Sequence, residues 1–183
     1  MKKIILVALL TLSFFGTYAQ EAETIKDVQK QNEIKINGLF LVLGGLELTY
    51  EHLLNEESGV GVSVFIPIDD EVYDEINYYV SPYYRFYFGK KYAAGFFVEG
   101  FGMLNSFKSY NIMFNDQFDV IATDQENVTD FALGIGVGGK WITNRGMFAE
   151  VNFGVGRNLF NDRGDYDDYE VIGKASISIG LRF

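Results

Sequence analysis

In this chain of 183 residues, chemistry has few places to happen: one histidine, one glycine cluster and three acid-rich stretches. His52 is the single histidine. A lone imidazole works as a general base only when Ser, Asp or Glu partners reach hydrogen-bond distance. No Ser adjoins it in sequence, so His52 reads as an interfacial side chain and not a catalytic one. Gly134-Ile-Gly-Val-Gly-Gly139 satisfies the spacing GxGxxG, but the dinucleotide fingerprint needs that spacing between a strand and a helix. Here it sits inside an alternating apolar run, where glycines serve close packing. Arg163-Gly-Asp165 is a short match that chance explains, and Asn127-Val-Thr129 matches a glycosylation sequon in a chain whose leader and strand pattern, set out below, are of a bacterial kind. The acidic stretches read as a solvated fringe, because a hard-cation site needs carboxylates in a defined geometry. With no Cys, the chain has neither disulfides nor thiol chemistry. No catalytic, cofactor-binding or metal-binding residue is assigned.

The element that organises the rest is the terminal stretch Gly173 to Phe183. Ala175, Ile177, Ile179, Leu181 and Phe183 alternate with Lys174, Ser176, Ser178, Gly180 and Arg182. Successive strand side chains point to opposite faces, so this is a strand with one oily and one wet side. The 20 Gly, 12 Tyr, 17 Phe and 2 Pro suit many short strands. Mean hydropathy is +0.04 although 48% of residues are apolar, a balance that alternation produces without long oily runs.

Residues 1–19 read as a signal peptide: Lys2 and Lys3, an apolar run from Ile4 to Phe15, then Thr17-Tyr-Ala19 before the cut. That run is too short for a spanning helix, which needs about 20 residues. The charge is −10, and loss of the two leader lysines takes the mature chain to −12, which disfavours nucleic acid as a partner. Residues 20–33 read as a flexible periplasmic lead-in and 34–183 as one barrel domain.

Eight alternating segments follow, separated by turn chemistry. They are about Ile34 to Leu43, Leu46 to Leu54, Val60 to Ile68, Ile76 to Phe88, Ala93 to Phe107, Phe131 to Ile142, Met147 to Asn158 and Val171 to Phe183. Gly44-Gly45 predicts a two-residue hairpin between the first two, an unusually clipped first loop. After Leu54 the connections alternate short and long, and residues 108–130 read as a long polar loop. Fifteen of the 25 acids fall in the three long connections, five each in Asp69 to Glu75, Asp116 to Asp130 and Asp162 to Glu170.

The two faces separate cleanly. One carries Leu48, Tyr50, Val62, Val64, Tyr84, Phe86, Ile135, Val137, Phe153 and their like. The other carries Lys35, Glu47, Glu51, Arg85, Glu99, Lys140, Glu150, Lys174 and Arg182. Charges of both signs on one face suit a confined interior in which they pair. The fold class is therefore all-β: an eight-stranded antiparallel up-and-down transmembrane β-barrel with a polar, side-chain-filled lumen. Glu47, Glu51, Glu99 and Glu150 are expected to pair with Arg85, Lys140, Lys174 and Arg182. Phe88, Trp141 and Phe183 fall outward at the short-turn end, where a periplasmic aromatic girdle belongs.

The Leu46-Glu-Leu-Thr-Tyr-Glu51 opening, the Ser81-Pro-Tyr-Tyr-Arg-Phe-Tyr-Phe88 strand, the Gly134-to-Trp141 strand and the terminal Phe183 resemble the small eight-stranded outer-membrane β-barrels. The likeness is to the OmpA transmembrane-domain and OmpX-like group, and more closely to barrel proteins common in Bacteroidetes-type bacteria. It implies a bacterial outer-membrane location, contact with outer-membrane lipids and lipopolysaccharide, and a monomer. It also implies that Ile177, Ile179, Leu181 and Phe183 are the signal read by the barrel-assembly machinery. It implies a location more clearly than a task. The function expected from the residues is structural or surface-interacting, with a plugged lumen, acidic extracellular loops and no cofactor; the alternatives are a narrow low-conductance channel for small solutes and, further off, a lipid-modifying enzyme using His52.

Overall fold

An open sheet of alternating strands leaves two edges with unpaired backbone groups, and this chain removes both by closing on itself. The computed structural model describes residues 30–69, 76–114, 120–160 and 170–183. Its strands are β1 (Asn32–Asn37), β2 (Gly45–Leu53), β3 (Ser58–Pro67), β4 (Ile76–Tyr87), β5 (Gly95–Phe114), β6 (Val120–Ile142), β7 (Met147–Asn158) and β8 (Val171–Arg182). Each pairs antiparallel with the next, and β8 pairs back onto β1. The eight-stranded antiparallel closed barrel read from the sequence is the fold.

Three connections are short and lie at the end that also holds Asn32 and Phe183. Leu54 N–H donates to Ser58 O (2.9 Å) between β2 and β3, and Thr143 N–H to Met147 O (2.8 Å) between β6 and β7. Gly146 takes φ +87 in the latter turn, a conformation glycine adopts without a Cβ penalty. The third, between β4 and β5, folds across the barrel mouth, where Ala93 and Ala94 are buried and Ala93 N–H donates to Glu56 O (2.7 Å).

Two expectations are corrected here. The first strand does not run to Leu43: it opens at Asn32, ends at Asn37, and Gly38–Val42 forms a one-turn helix, α1. Asn37 caps that helix by accepting from Leu39 N–H (3.1 Å), so a local side-chain bond replaces the next ladder bond. Gly44-Gly45 is thus no two-residue hairpin. Gly44 (φ +90) turns the chain out of α1, and its carbonyl accepts from Ile68 and Asp69 N–H (both 2.9 Å). Of the long polar loop expected at residues 108–130, the described residues 108–114 and 120–130 are strand. β5 and β6 continue as one ladder to Phe114↔Val120, because both arms are rich in strand-forming Tyr, Ile, Phe, Val and Thr.

Side chains then sort by parity. The outward face shows Ile135, Trp141, Ile179 and Phe153, each more than half exposed, while Glu51, Arg85, Lys140 and Glu150 are 1% exposed inside. The interior needs room for long side chains, and β6 supplies it. An added Cβ on Gly134 would lie 2.3 Å from Phe101 Cζ, and one on Gly138 2.3 Å from Phe97 Cζ, so both rings lie against bare backbone.

Candidate functional site

Along the barrel axis the interior is layered. Nearest the short turns, Leu53, Tyr87, Ala93 and Phe97 form one apolar cluster, with Tyr92 packed against it. Towards the long connections Phe65, Tyr79, Tyr83, Phe101, Met103 and Ala132 form another, joined by Phe40 and Ile172. Phe65 stacks on Tyr79 (centroids 5.0 Å) and meets Phe40 edge-on (5.1 Å). Most of the charges lie between these two clusters, with Glu47 beside Phe65 and Tyr79 of the upper one and Arg182 at the mouth beside Tyr92 and Ala93. An interior expected to be polar is therefore polar in the middle and aromatic at both ends.

The charged layer contains five carboxylates (Glu33, Glu47, Glu51, Glu99, Glu150) and five cations (Lys35, Arg85, Lys140, Lys174, Arg182), all at most 9% exposed. Arg85 is its hub. Its guanidinium donates to Glu99 (2.6 and 3.1 Å), Glu150 (2.8 Å) and Glu51 (3.3 Å), and lies 3.8 Å from the centroid of the Phe97 ring. Lys35 bridges Glu150 (2.6 Å) and Glu51 (3.5 Å). Lys140 bridges Glu33 (2.6 Å), Glu51 (3.4 Å) and Glu150 (3.7 Å). Lys174 donates to Glu99 Oε1 (2.8 Å), which also accepts from Asn152 Nδ2 (2.8 Å). Tyr83 OH donates to Glu51 (2.9 Å), and Tyr87 OH does so as well. Burying charge costs several kcal/mol per ion unless excellent geometry and further hydrogen bonds offset it. Here each carboxylate has at least two partners.

Two placements differ from the sequence expectation. Arg182 pairs with none of the four expected glutamates; its partner is Glu33 on β1 (Nε to Oε1, 2.7 Å). Its two terminal nitrogens donate to the carbonyls of Tyr92 and Ala93 (2.8 Å each), which fastens the inturned β4–β5 connection across the mouth. Glu47 accepts from Tyr79 OH and Asn37 Nδ2 (3.4 Å) and makes no ion pair among the described residues. Glu33 was missed by sequence reasoning, although continuing the inward parity of Asn37 and Lys35 by two residues finds it. Phe65, Phe97, Phe101 and Phe148 were missed as interior residues as well. In alternation their inward parity was legible, but apolar residues on the wet face carried no signal of their own.

His52 lies on the outer face of β2, with Nδ1 3.0 Å from Asn32 Oδ1, an oxygen that also accepts from Tyr50 OH (2.7 Å). Gly134 to Gly139 lie within β6 with no helix following. Phe88, Trp141 and Phe183 all point outward at the short-turn end and are more than half exposed. Ile177, Ile179 and Leu181 line the outward face of β8. The leader, Arg163-Gly-Asp165 and most of the acidic stretches lie outside the described residues.

Among solved structures, the N-terminal β-barrel domain of Pseudomonas aeruginosa OprF is similar over 85% of this chain and 98% of its own, at 16% identity and TM-score 0.54. Neisserial surface protein A matches 84% of this chain and 95% of its own at 11% identity and TM-score 0.43. Yersinia pestis outer membrane protein Ail matches 85% and 100% at 17% identity and TM-score 0.38. The first likeness shows the fold, that of the small eight-stranded outer-membrane barrels. Comparison with curated proteins returned no match. The profile of the family described as "Protein of unknown function (DUF3575)" matches residues 4–178, and the chain belongs to that family.

Proposed function

We propose that this chain is an integral outer-membrane β-barrel that acts as a closed structural or surface-interacting element and not as a pore. One observation carries the reading: a balanced set of ten buried charges and two apolar clusters together fill the interior, while the outer wall presents isoleucine, valine, leucine and aromatic side chains. A water-filled channel would hydrate those ion pairs. In this interior, passage of a hydrated ion would require parting Arg85 from three glutamates. The outward face suits acyl chains, and Phe88, Trp141 and Phe183 suit the lipid–water boundary. The partners of this reading are outer-membrane lipids and lipopolysaccharide, with the barrel-assembly machinery acting during insertion. The barrel is a monomer, exported by the leader at residues 1–19, and its acidic connections face the medium.

Planar-bilayer recording of the purified barrel tests it. The expected result is no steady conductance, in the native chain or in Tyr83→Phe. Steady conductance that shifts on replacing Arg85 or Glu99 would establish the narrow channel instead. Fractionation of cells should find the chain with the outer membrane.

A further inference from the structure

Because β1 ends at Asn37, the barrel wall is incomplete on the side of the long connections. β1 pairs with β8 only from Glu33↔Arg182 to Asn37↔Ser178, and with β2 only from Asn32↔His52 to Ile36↔Leu48. Beyond that level Val171 to Ile177 of β8 and Gly45 to Glu47 of β2 have no β1 strand between them. The odd-numbered residues of β8 turn their backbone groups towards β1, as Phe183 N–H to Asn32 O shows. At the gap this ladder is continued by one side chain: Asn37 Nδ2 donates to Ala175 O (3.2 Å), and Asn37 Oδ1 accepts from Ile177 N–H (3.2 Å).

What fills the gap is α1, which packs against β2 and β8 and contains no buried residue. Phe40 reaches inward onto Phe65 and the upper apolar cluster. Leu41, Val42 and Leu43 face away from the interior, Val42 at 85% exposure. The gap is therefore a doorway in the wall, its outer rim continuous with the apolar band of Leu48, Ile177 and Ile179. It opens onto the aromatic layer, with Glu47 on β2 and Lys174 on β8 turned inward at its two edges.

We propose that this doorway is a lateral binding site for one acyl chain of a membrane amphiphile, with α1 as its lid and Phe40 as the side chain the acyl tail replaces. The proposal rests on the membrane reading above. An acyl chain is the occupant the position selects, because the lid borders the outward apolar band and the side chains that Phe40 packs against behind it are those of the Phe65, Tyr79, Met103 and Ala132 cluster. Irregular backbone at membrane depth persists only where protein or a cavity covers it, which gives the lid its place in the wall.

The test uses tryptophan quenching in phosphatidylcholine vesicles. The full barrel carries Trp141→Phe together with Phe40→Trp, or with Ile135→Trp as an outer-wall control, and the probe is palmitic acid brominated near its methyl end. The expected result is saturable quenching of the Phe40→Trp signal, at least threefold stronger at low probe fraction than that of the control. Linear quenching equal to the control overturns the proposal. So does a concentration-dependent dimer that shields Phe40→Trp from the probe, since that makes a second copy the occupant. If the Ile135→Trp signal is not quenched by brominated phospholipid, the membrane reading has failed and this proposal falls with it. Quenching of Ile135→Trp without saturable quenching of Phe40→Trp sinks the lateral site alone.

Discussion

Glu33 and Arg182 face each other directly across the junction of the first and last strands, paired in register and joined at 2.7 Å inside the barrel. The contact ties the two ends of the described chain together and, through Arg182, ties both to the carbonyls of Tyr92 and Ala93. A double-mutant cycle on Glu33→Gln and Arg182→Gln should give a coupling of about 1–3 kcal/mol in urea unfolding from vesicles. Additive single effects would show that the pair does not clamp the junction.

Arg85 touches three carboxylates and is 1% exposed, so its removal leaves buried negative charge without its main partner. Arg85→Met should destabilise the barrel by about 3–5 kcal/mol, read as a lower temperature for loss of the unboiled gel band. Combining it with Glu99→Leu should recover part of that loss, because one of the orphaned carboxylates is removed as well.

On β6, Gly134 lies under the Phe101 ring, whereas Gly100 on β5 faces outward with nothing near its missing Cβ. Gly134→Ala should cost about 1–3 kcal/mol through overpacking, and Gly100→Ala should be close to neutral. Equal effects in equilibrium unfolding would mean the interior has slack that the geometry denies.

Val137 lies midway along the barrel section of β6 and points outward. If lipid covers that face, Val137→Arg should lower stability in vesicles by about 2–4 kcal/mol. An unchanged stability would place water, not hydrocarbon, against the outer wall.

Phe183 closes the junction with two backbone bonds to Asn32 (2.8 and 3.1 Å), while its ring is 56% exposed. Phe183→Ala keeps the backbone bonds and removes only the ring. It should reduce the fraction of chain inserted in cells while changing unfolding in vesicles by well under the effect of deleting the residue. Normal insertion would exclude the ring as an assembly signal.

Much of this was legible in sequence because a strand that is wet on one side and oily on the other writes its parity into every second residue. Glu99, Lys140 and Glu150 could be assigned to the interior from that rule alone, and so could Ile135 and Ile179 to the wall. The rule fails where both parities are apolar. Gly38 to Leu43 (GLFLVL) reads equally as strand or helix, and a bond from Asn37 Oδ1 to Leu39 N–H decides for the helix. It also fails where polar and apolar residues do not alternate, as along 108–114 and 120–130, where the pairing of β5 with β6 carries the ladder on. Individual ion-pair partners were not legible. Which carboxylate Arg182 meets depends on strand stagger around the closed ring, a three-dimensional quantity that no local spacing encodes.

The ladders differ greatly in how far apart along the chain their partners lie, and this orders them in time. β5 and β6 are sequence neighbours, so their ladder forms at small loop-closure cost. Glu33 and Arg182 are 149 residues apart, Lys35 and Glu150 115, and Lys140 and Glu33 107. Those contacts arise only when β1 meets β8, in the slowest step. Until then the interior charges stay hydrated in an unfinished sheet. A slip of one residue at that step would turn Glu33 and Lys35 out towards lipid and Ile34 inward. The charged layer is then a late proofreader: it rewards only the register in which all ten side chains find the inside at once.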